Sequence, residues 1–289
     1  MTGIAIVGMS CRFPGAGDLN EFWRMTLDAE PQFARVPESR WDHSTYHRPG
    51  DFREPHSTYT DKVAFLPDIE QFAPSHYGVP PRRAKAMDPQ QRLFIDLARE
   101  ALQDAGWERG SFDRTTTGVF AGVSSTDYRE VAFARTNARL LADGSYHGGE
   151  ADPQLLAGLE DAAGSAVMPI GPFSIAGVIS NMVPAAVSEV FDLGGPSYAV
   201  DAACSSALVA LDTAVRSLRS GGCSAALVGG VFVNLTPNGL IGFSRARALS
   251  RAGVCRPFDE RADGFVLGEG GGVLVLRPLA DALAAGDRV

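Results

Sequence analysis

The chain has 289 residues, 45% of them hydrophobic and 21% charged, a composition that can bury a sizeable core and is neither collagen-like nor disordered. With 26 Lys and Arg against 34 Asp and Glu, a net charge of -8, it is a poor match for a nucleic-acid backbone, and no nucleic-acid partner is expected. No apolar run approaches the roughly 18 to 20 residues a membrane helix needs, and the start, Met1-Thr2-Gly3-Ile4-Ala5, lacks a basic-then-apolar leader, so the chain reads as cytoplasmic with no membrane partner.

In chain order, Ile4-Ala5-Ile6-Val7-Gly8-Met9 predicts a buried strand that leads into a turn at Arg12-Phe13-Pro14-Gly15. Residues 31–85, rich in Pro, Arg, His and aromatics without a period, are expected to form a long excursion over the core. Asp88-Pro89-Gln90-Gln91 has the form of a helix start, with Asp88 as cap, Pro89 in the first position and Gln91 reaching back as in a capping box. Leu93, Leu97, Ala101, Leu102 and Ala105 then recur at helical spacing up to Gly106. A second buried strand is predicted at 117–123, followed by an insertion over 124–170 that holds one or two short helices. Residues 175–191 carry a helical apolar stripe expected to kink at Pro184. Strand, helix, strand and strand follow at 197–200, from about Cys204, at 225–233 and at 272–276. Such alternation predicts an α/β fold, a mixed sheet with helices on both faces, in one domain over 1–289.

Cys11, Cys204, Cys223 and Cys255 form no C-x-x-C pair, which argues against a disulfide framework or a zinc site. Cys204 stands out because a strand turns directly into a helix around it. Cys204, Leu208, Leu211, Val215 and Leu218 are spaced 4, 3, 4 and 3, which places the thiol on the predicted buried face at the helix's amino-terminal end. Unpaired N–H groups and the positive dipole end there favour a thiolate. The same N–H groups point to where an oxyanion would form if the sulfur attacked a thioester carbonyl. A nucleophile for acyl transfer and a small thiol that only packs are both open readings at this point.

Other motifs carry less. His43 and His47 have metal-ligand spacing but no adjoining Glu, so a solvated loop is the better reading and no metal is expected. Gly268-Glu269-Gly270-Gly271-Gly272 precedes a strand instead of opening a helix, which favours close backbone packing over phosphate binding. Two basic clusters, Arg82, Arg83 and Lys85, and Arg245, Arg247, Arg251 and Arg256, are either solvated faces or landing points for an acidic partner.

Five ordered motifs make the chain resemble the β-ketoacyl synthases, the condensing enzymes of fatty acid and polyketide assembly, and in particular those of type I polyketide synthases. They are I-A-I-V-G-M-S-C-R-F-P-G from Ile4, M-D-P-Q-Q-R from Met87, D-A-A-C-S-S from Asp201, R-P-F-D from Arg256 and D-G-F-V-L-G-E-G from Asp263. The resemblance implies a thiolase-like fold, layered αβαβα, of which this chain would hold the first half plus insertions. It implies that Cys204 is the acylated nucleophile, with a backbone N–H in the oxyanion hole. Phe243 resembles the residue lining the acyl pocket; an ordinary core aromatic is the alternative. An acyl carrier protein bearing phosphopantetheine is the implied partner, with no cofactor of the chain's own, and a homodimer is expected through the region leading into the nucleophile strand. The sequence departs from the pattern at Ala202, where Thr is common, and at Ser180-Asn181-Met182-Val183, where modular polyketide enzymes have Gly-Arg.

Family members also use two histidines and a lysine from the second half of the fold, and none of those elements is present. The histidines here, His43, His47, His56, His76 and His147, all precede Cys204. The chain covers the amino-terminal part, roughly two-thirds, of a family domain. An apolar face is therefore expected to stand open, to be covered by a carboxy-terminal half supplied in cis or as a separate chain. A noncatalytic subunit or an inactive fragment is the competing expectation.

Overall fold

A computed structural model describes residues 3–50, 54–107, 112–124, 127–146, 148–166 and 168–289. His147, one of the five histidines, and parts of both expected insertions lie outside the described residues. Strand β1 (Ile4–Arg12) leads into helix α1 (Leu19–Asp28), whose first turn is capped by the Asp18 carboxylate on the Glu21 N–H at 2.8 Å. The excursion after it contributes short strands β2 (Ala34–Arg35) and β3 (Lys62–Ala64), and ends in α2 (Pro81–Ala86).

Helix α3 (Pro89–Asp104) starts where the sequence predicts, with Pro89 in the first position and Asp88 as cap. The capping box does not form. Asp88 accepts from the Gln90 N–H at 2.8 Å, while the Gln91 amide donates to the carbonyls of Ala176 and Gly177. The Asp88 N–H that Gln91 was expected to satisfy goes to Gly177 O at 3.0 Å instead. A tertiary clamp thus replaces the local reciprocal bond, because a neighbouring chain segment brings two carbonyls to the helix start.

Strand β4 (Thr117–Gly122) is buried along its whole length. Among its described residues, the insertion behind it holds three helices where one or two were expected: α4 (Tyr128–Ala132), α5 (Ala134–Ala142) and α6 (Pro153–Ala166). The expected kinked helix is two separate helices, α7 (Ser174–Val178) and α8 (Met182–Phe191), with an extended residue, Ile179, at the break. Pro184 is not the breaking point, since it sits in the first turn of α8, where N–H groups have no intrahelical partner to lose.

Strand β5 (Ser197–Val200), helix α9 (Ser206–Arg219), strand β6 (Ala225–Phe232), helix α10 (Asn238–Arg245), strands β7 (Leu267–Gly268) and β8 (Gly270–Pro278) and helix α11 (Leu279–Ala285) complete the described fold. Five strands form one mixed sheet in the order β1-β8-β6-β4-β5; β4 runs parallel to β5 and β6, and β8 antiparallel to β6 and β1. Strand alternation divides the core. Val7, Val119, Ala121, Leu227, Val273 and Val275 face α3 and α8, whereas Phe120, Ala226, Val228 and Leu276 face α9. Strands β2, β3 and β7 make a small second sheet over Val36, Val63, Leu240, Leu249 and Leu267.

The face of α9 differs from the sequence expectation. Ser206, Ala210, Ala214 and Leu218 lie buried against the sheet, while Cys204 and Leu208 are exposed, Leu208 to 70%. Small residues let the helix axis approach the sheet closely, and the predicted stripe divides: Leu218 is buried, Leu211 and Val215 are half-buried against the same core, and Leu208 is left on the outer side. A helix apolar on two faces is built to be covered twice, as a central layer.

Candidate active site

Strands β4, β5 and β6 end at one edge of the sheet, and the turn after β5 carries Cys204 there. The thiol lies on a 3₁₀ turn, Ala203–Ser205, so the α-helix itself begins two residues after it. Ala203 has φ 52°, a left-handed conformation that a side chain ordinarily avoids, and three bonds hold it. The Asp201 carboxylate accepts from the Ala203 N–H at 3.0 Å. The buried Ser206 hydroxyl accepts from the Ala202 N–H at 2.9 Å and donates to Ala203 O at 2.6 Å. Asp201 and Ser206 flank the thiol in sequence, and their locking role had no signal beyond membership of the motif.

The sheet makes room for this turn. A Cβ on Gly122 at the end of β4 would stand 2.5 Å from Ala207 N, and one on Gly230 in β6 would stand 2.8 Å from the Ala207 side chain. Glycine at both positions lets the first turn of α9 sit directly on the strands.

Cys204 is exposed and opens on a cleft of about 1000 Å³ whose walls include Leu208, Leu211, Phe243, Phe265 and Leu267. Phe243, on α10, is 40% exposed and meets Phe265 edge-on at 5.2 Å between ring centroids. The structure therefore brings together the two site residues singled out from the sequence, Cys204 and Phe243. Among the described residues no histidine lines the cleft. By contrast with Cys204, Cys11 and Cys223 are buried, and burial pushes both thiols up from their ordinary range.

Beneath the cleft lies a group the sequence analysis passed over. Glu269, between the glycines read as a packing element, is fully buried and pairs with Arg40 through two bonds of 2.7 and 2.9 Å. Burial raises its carboxyl above the usual range, and Arg40 opposes that shift. Glu269 also accepts from the N–H groups of Leu66 and Asn234, each at 2.8 Å, and Arg40 donates to the carbonyls of the same two residues. Every charge is thereby matched, and the excursion, the end of β6 and the start of β8 are tied at one point under the site.

The remaining candidates resolve into local structure. His43 opens a single 3₁₀ turn, His43–Thr45, capped by Asp42, and among the described residues no group of three His, Cys, Asp or Glu could hold a metal ion. Of the basic clusters, Arg83 pairs with Glu189, Arg245 donates to Glu54 O at 2.9 Å and Arg256 lies 4.0 Å from Asp263. No described helix is long and apolar enough to cross a membrane.

A thiol on a locked strand-to-helix turn, at the edge of a mixed sheet and open to an apolar cleft, is the arrangement that the ketosynthase resemblance implies. The chain matches the family described as β-ketoacyl synthase, N-terminal domain, over residues 1–282, and it belongs to that family. Its relatives include the polyketide synthase ThaG of Burkholderia thailandensis, 37% identical over 287 residues, and the mycoketide-CoA synthase of Mycobacterium tuberculosis, 39% identical over 289. Each alignment covers 99% of this chain, but only 4% and 6% of those relatives. Among solved structures, an oxazolomycin ketosynthase domain from Streptomyces albus JA3453 superposes with a TM-score of 0.83 at 32% identity, covering 100% of this chain and 44% of that one. The ketosynthase from module 6 of the Bacillus subtilis 168 bacillaene synthase gives 0.76 at 31%, with 99% and 42% covered. The fold is accordingly thiolase-like, and the chain spans less than half of the solved chains it matches.

Proposed function

We propose that this chain forms the nucleophile-bearing part of a β-ketoacyl synthase that extends acyl chains in polyketide assembly. Cys204 attacks the carbonyl of an acyl thioester presented on the phosphopantetheine arm of an acyl carrier protein. The carbon–sulfur bond to the arm breaks, a new one forms to Cys204, and the arm leaves as a free thiol carrying the proton. The Cys204 N–H, on the 3₁₀ turn that leads into α9, supplies charge stabilisation to the tetrahedral oxyanion. A malonyl-type thioester then loses carbon dioxide, and its carbanion takes the acyl group from the cysteine, releasing a 3-ketoacyl thioester and restoring the thiol. Phe243 lines the acyl pocket.

The observation that carries this reading is the exposed Cys204 on its locked turn beside an apolar cleft. The absence of histidine from the described cleft lining supports a division of labour in which the carboxy-terminal half brings the groups that stabilise the enolate. Strand β5 forms an edge of the large sheet with Ser197 and Tyr198 exposed, which supports pairing with a second copy as a homodimer. We place the protein in the cytoplasm, where carrier-bound thioesters are made.

Condensation assayed with and without the carboxy-terminal half tests the proposal. With both halves, an acyl thioester and a malonyl thioester should yield carbon dioxide and a 3-ketoacyl thioester. No product from a folded protein with both halves contradicts the condensing reading and favours a noncatalytic subunit. Turnover by residues 1–289 alone contradicts the division of labour.

A further inference from the structure

Asn234 follows β6 and lines the same cleft as Cys204, with 1% of its surface exposed. Among the described residues, neither Nδ2 nor Oδ1 of its carboxamide has a hydrogen-bond partner. Buried amides are ordinarily paired, and an unpaired one destabilises the fold, so this residue requires an explanation.

The backbone around it is fully engaged. The Asn234 N–H donates to Glu269, its carbonyl accepts from Arg40, and the next two N–H groups, of Leu235 and Thr236, both donate to Asp127 at 3.2 Å. The side chain is therefore held at a fixed place with its hydrogen-bonding capacity free. The wall beside it is cut back as well, since a Cβ on Gly239 would come within 3.2 Å of Oδ1. Gly239 is one helical turn before Phe243 on α10, so the glycine opens the wall directly below the aromatic ring. Strands β5 and β6 flank β4, which puts Asn234 about two strand spacings, roughly 10 Å, from the turn that carries Cys204.

We propose that Asn234 reads an oxygen on the acyl chain, and that this site takes hydroxylated acyl groups in preference to fully reduced ones. A hydroxyl both donates and accepts, so it satisfies Oδ1 and Nδ2 together. A methylene at the same place leaves both orphaned. Sites built to bond a substrate hydroxyl discriminate strongly against the analogue lacking it. This inference rests on the acyl-transfer reading above and names the substrate class of that site.

The test compares acylation of Cys204, followed by intact mass, in the protein carrying both halves of the domain. The probes are N-acetylcysteamine thioesters of octanoate, 3-hydroxyoctanoate and 5-hydroxyoctanoate. The wild type should load at least one hydroxylated chain faster than octanoate by about tenfold or more. Asn234→Leu, which fills the same space without polar atoms, should bring that ratio to near one. Its melting temperature should be equal or higher, because an orphaned polar group is gone. Should Asn234→Leu fail to fold, Asn234→Ala takes its place with the same expected loss of ratio. An equal ratio in variant and wild type, with octanoate loaded by both, overturns the inference alone and leaves Asn234 holding no more than buried solvent. No loading of any chain by the wild type overturns the acyl-transfer reading, and the inference with it.

Discussion

Cys204 owes its place on the cleft to the residues that flank it in sequence, which line the same cleft. Asp201 and Ser206 hold the left-handed Ala203 in place, and the thiol follows from that turn. Its position at the head of a helix was legible from the sequence, but the face was not, because an apolar stripe at helical spacing says that a surface is to be covered without saying by what. Glu269 was illegible for a different reason: a single acid between glycines gives no sign of an arginine 229 positions earlier. Asp88 shows what such burial does to a titrating group. Its carboxyl, 1% exposed at the start of α3, is pushed up to about 6 from an ordinary 3.8, chiefly by desolvation. A folded-state value above the unfolded one means that Asp88 adds stability below about pH 4 and that this contribution is lost as pH rises through about 6. Asp88→Asn retains a capping oxygen and removes the charge. Its melting temperature relative to wild type should climb between pH 4 and pH 7, by ~3 °C; parallel profiles would contradict the assignment.

The strands were the most legible elements, since β4, β6 and β8 are largely buried runs of β-branched and small residues whose centres the sequence locates, while β1, expected to be buried, leaves Ile6 and Met9 exposed because one side of this edge strand is not covered. Helix starts with a local cap were legible too; what escaped was competition from distant groups. Gln91 finds the carbonyls of Ala176 and Gly177, and the helix break falls at Ile179 instead of at Pro184. Close packing between elements leaves its trace only as glycine, with the partner unnamed. At Gly122 the partner is the first turn of α9, and it is the backbone there that would meet an added Cβ. Gly122→Ala should therefore push the Cys204 turn off the strand, lowering the rate of Cys204 acylation at least tenfold and costing about 1–3 kcal/mol of stability. Acylation kinetics and a urea titration measure the two effects. A variant with the wild-type acylation rate would contradict the seating of α9 on β4.

At the scale of the molecule, the described layers are α3 and α8, the five-stranded sheet, and α9, in that order. The outer side of the last layer carries Leu208, exposed to 70%, and the edge strand β1, at the other end of the sheet from β5, presents Ile6 at 42%. The layered class followed from alternation of strands and helices along the chain, whereas the sheet order did not, because β1 pairs with β8 from the far end of the sequence. The proposed reaction passes through one covalent event at the edge of the sheet. The protein carrying both halves, mixed with an octanoyl thioester and examined by intact mass and peptide mapping, should gain a single octanoyl group on Cys204, and Cys204→Ala should gain none. An adduct on another residue, or a folded wild-type protein that takes up no acyl group, would contradict it.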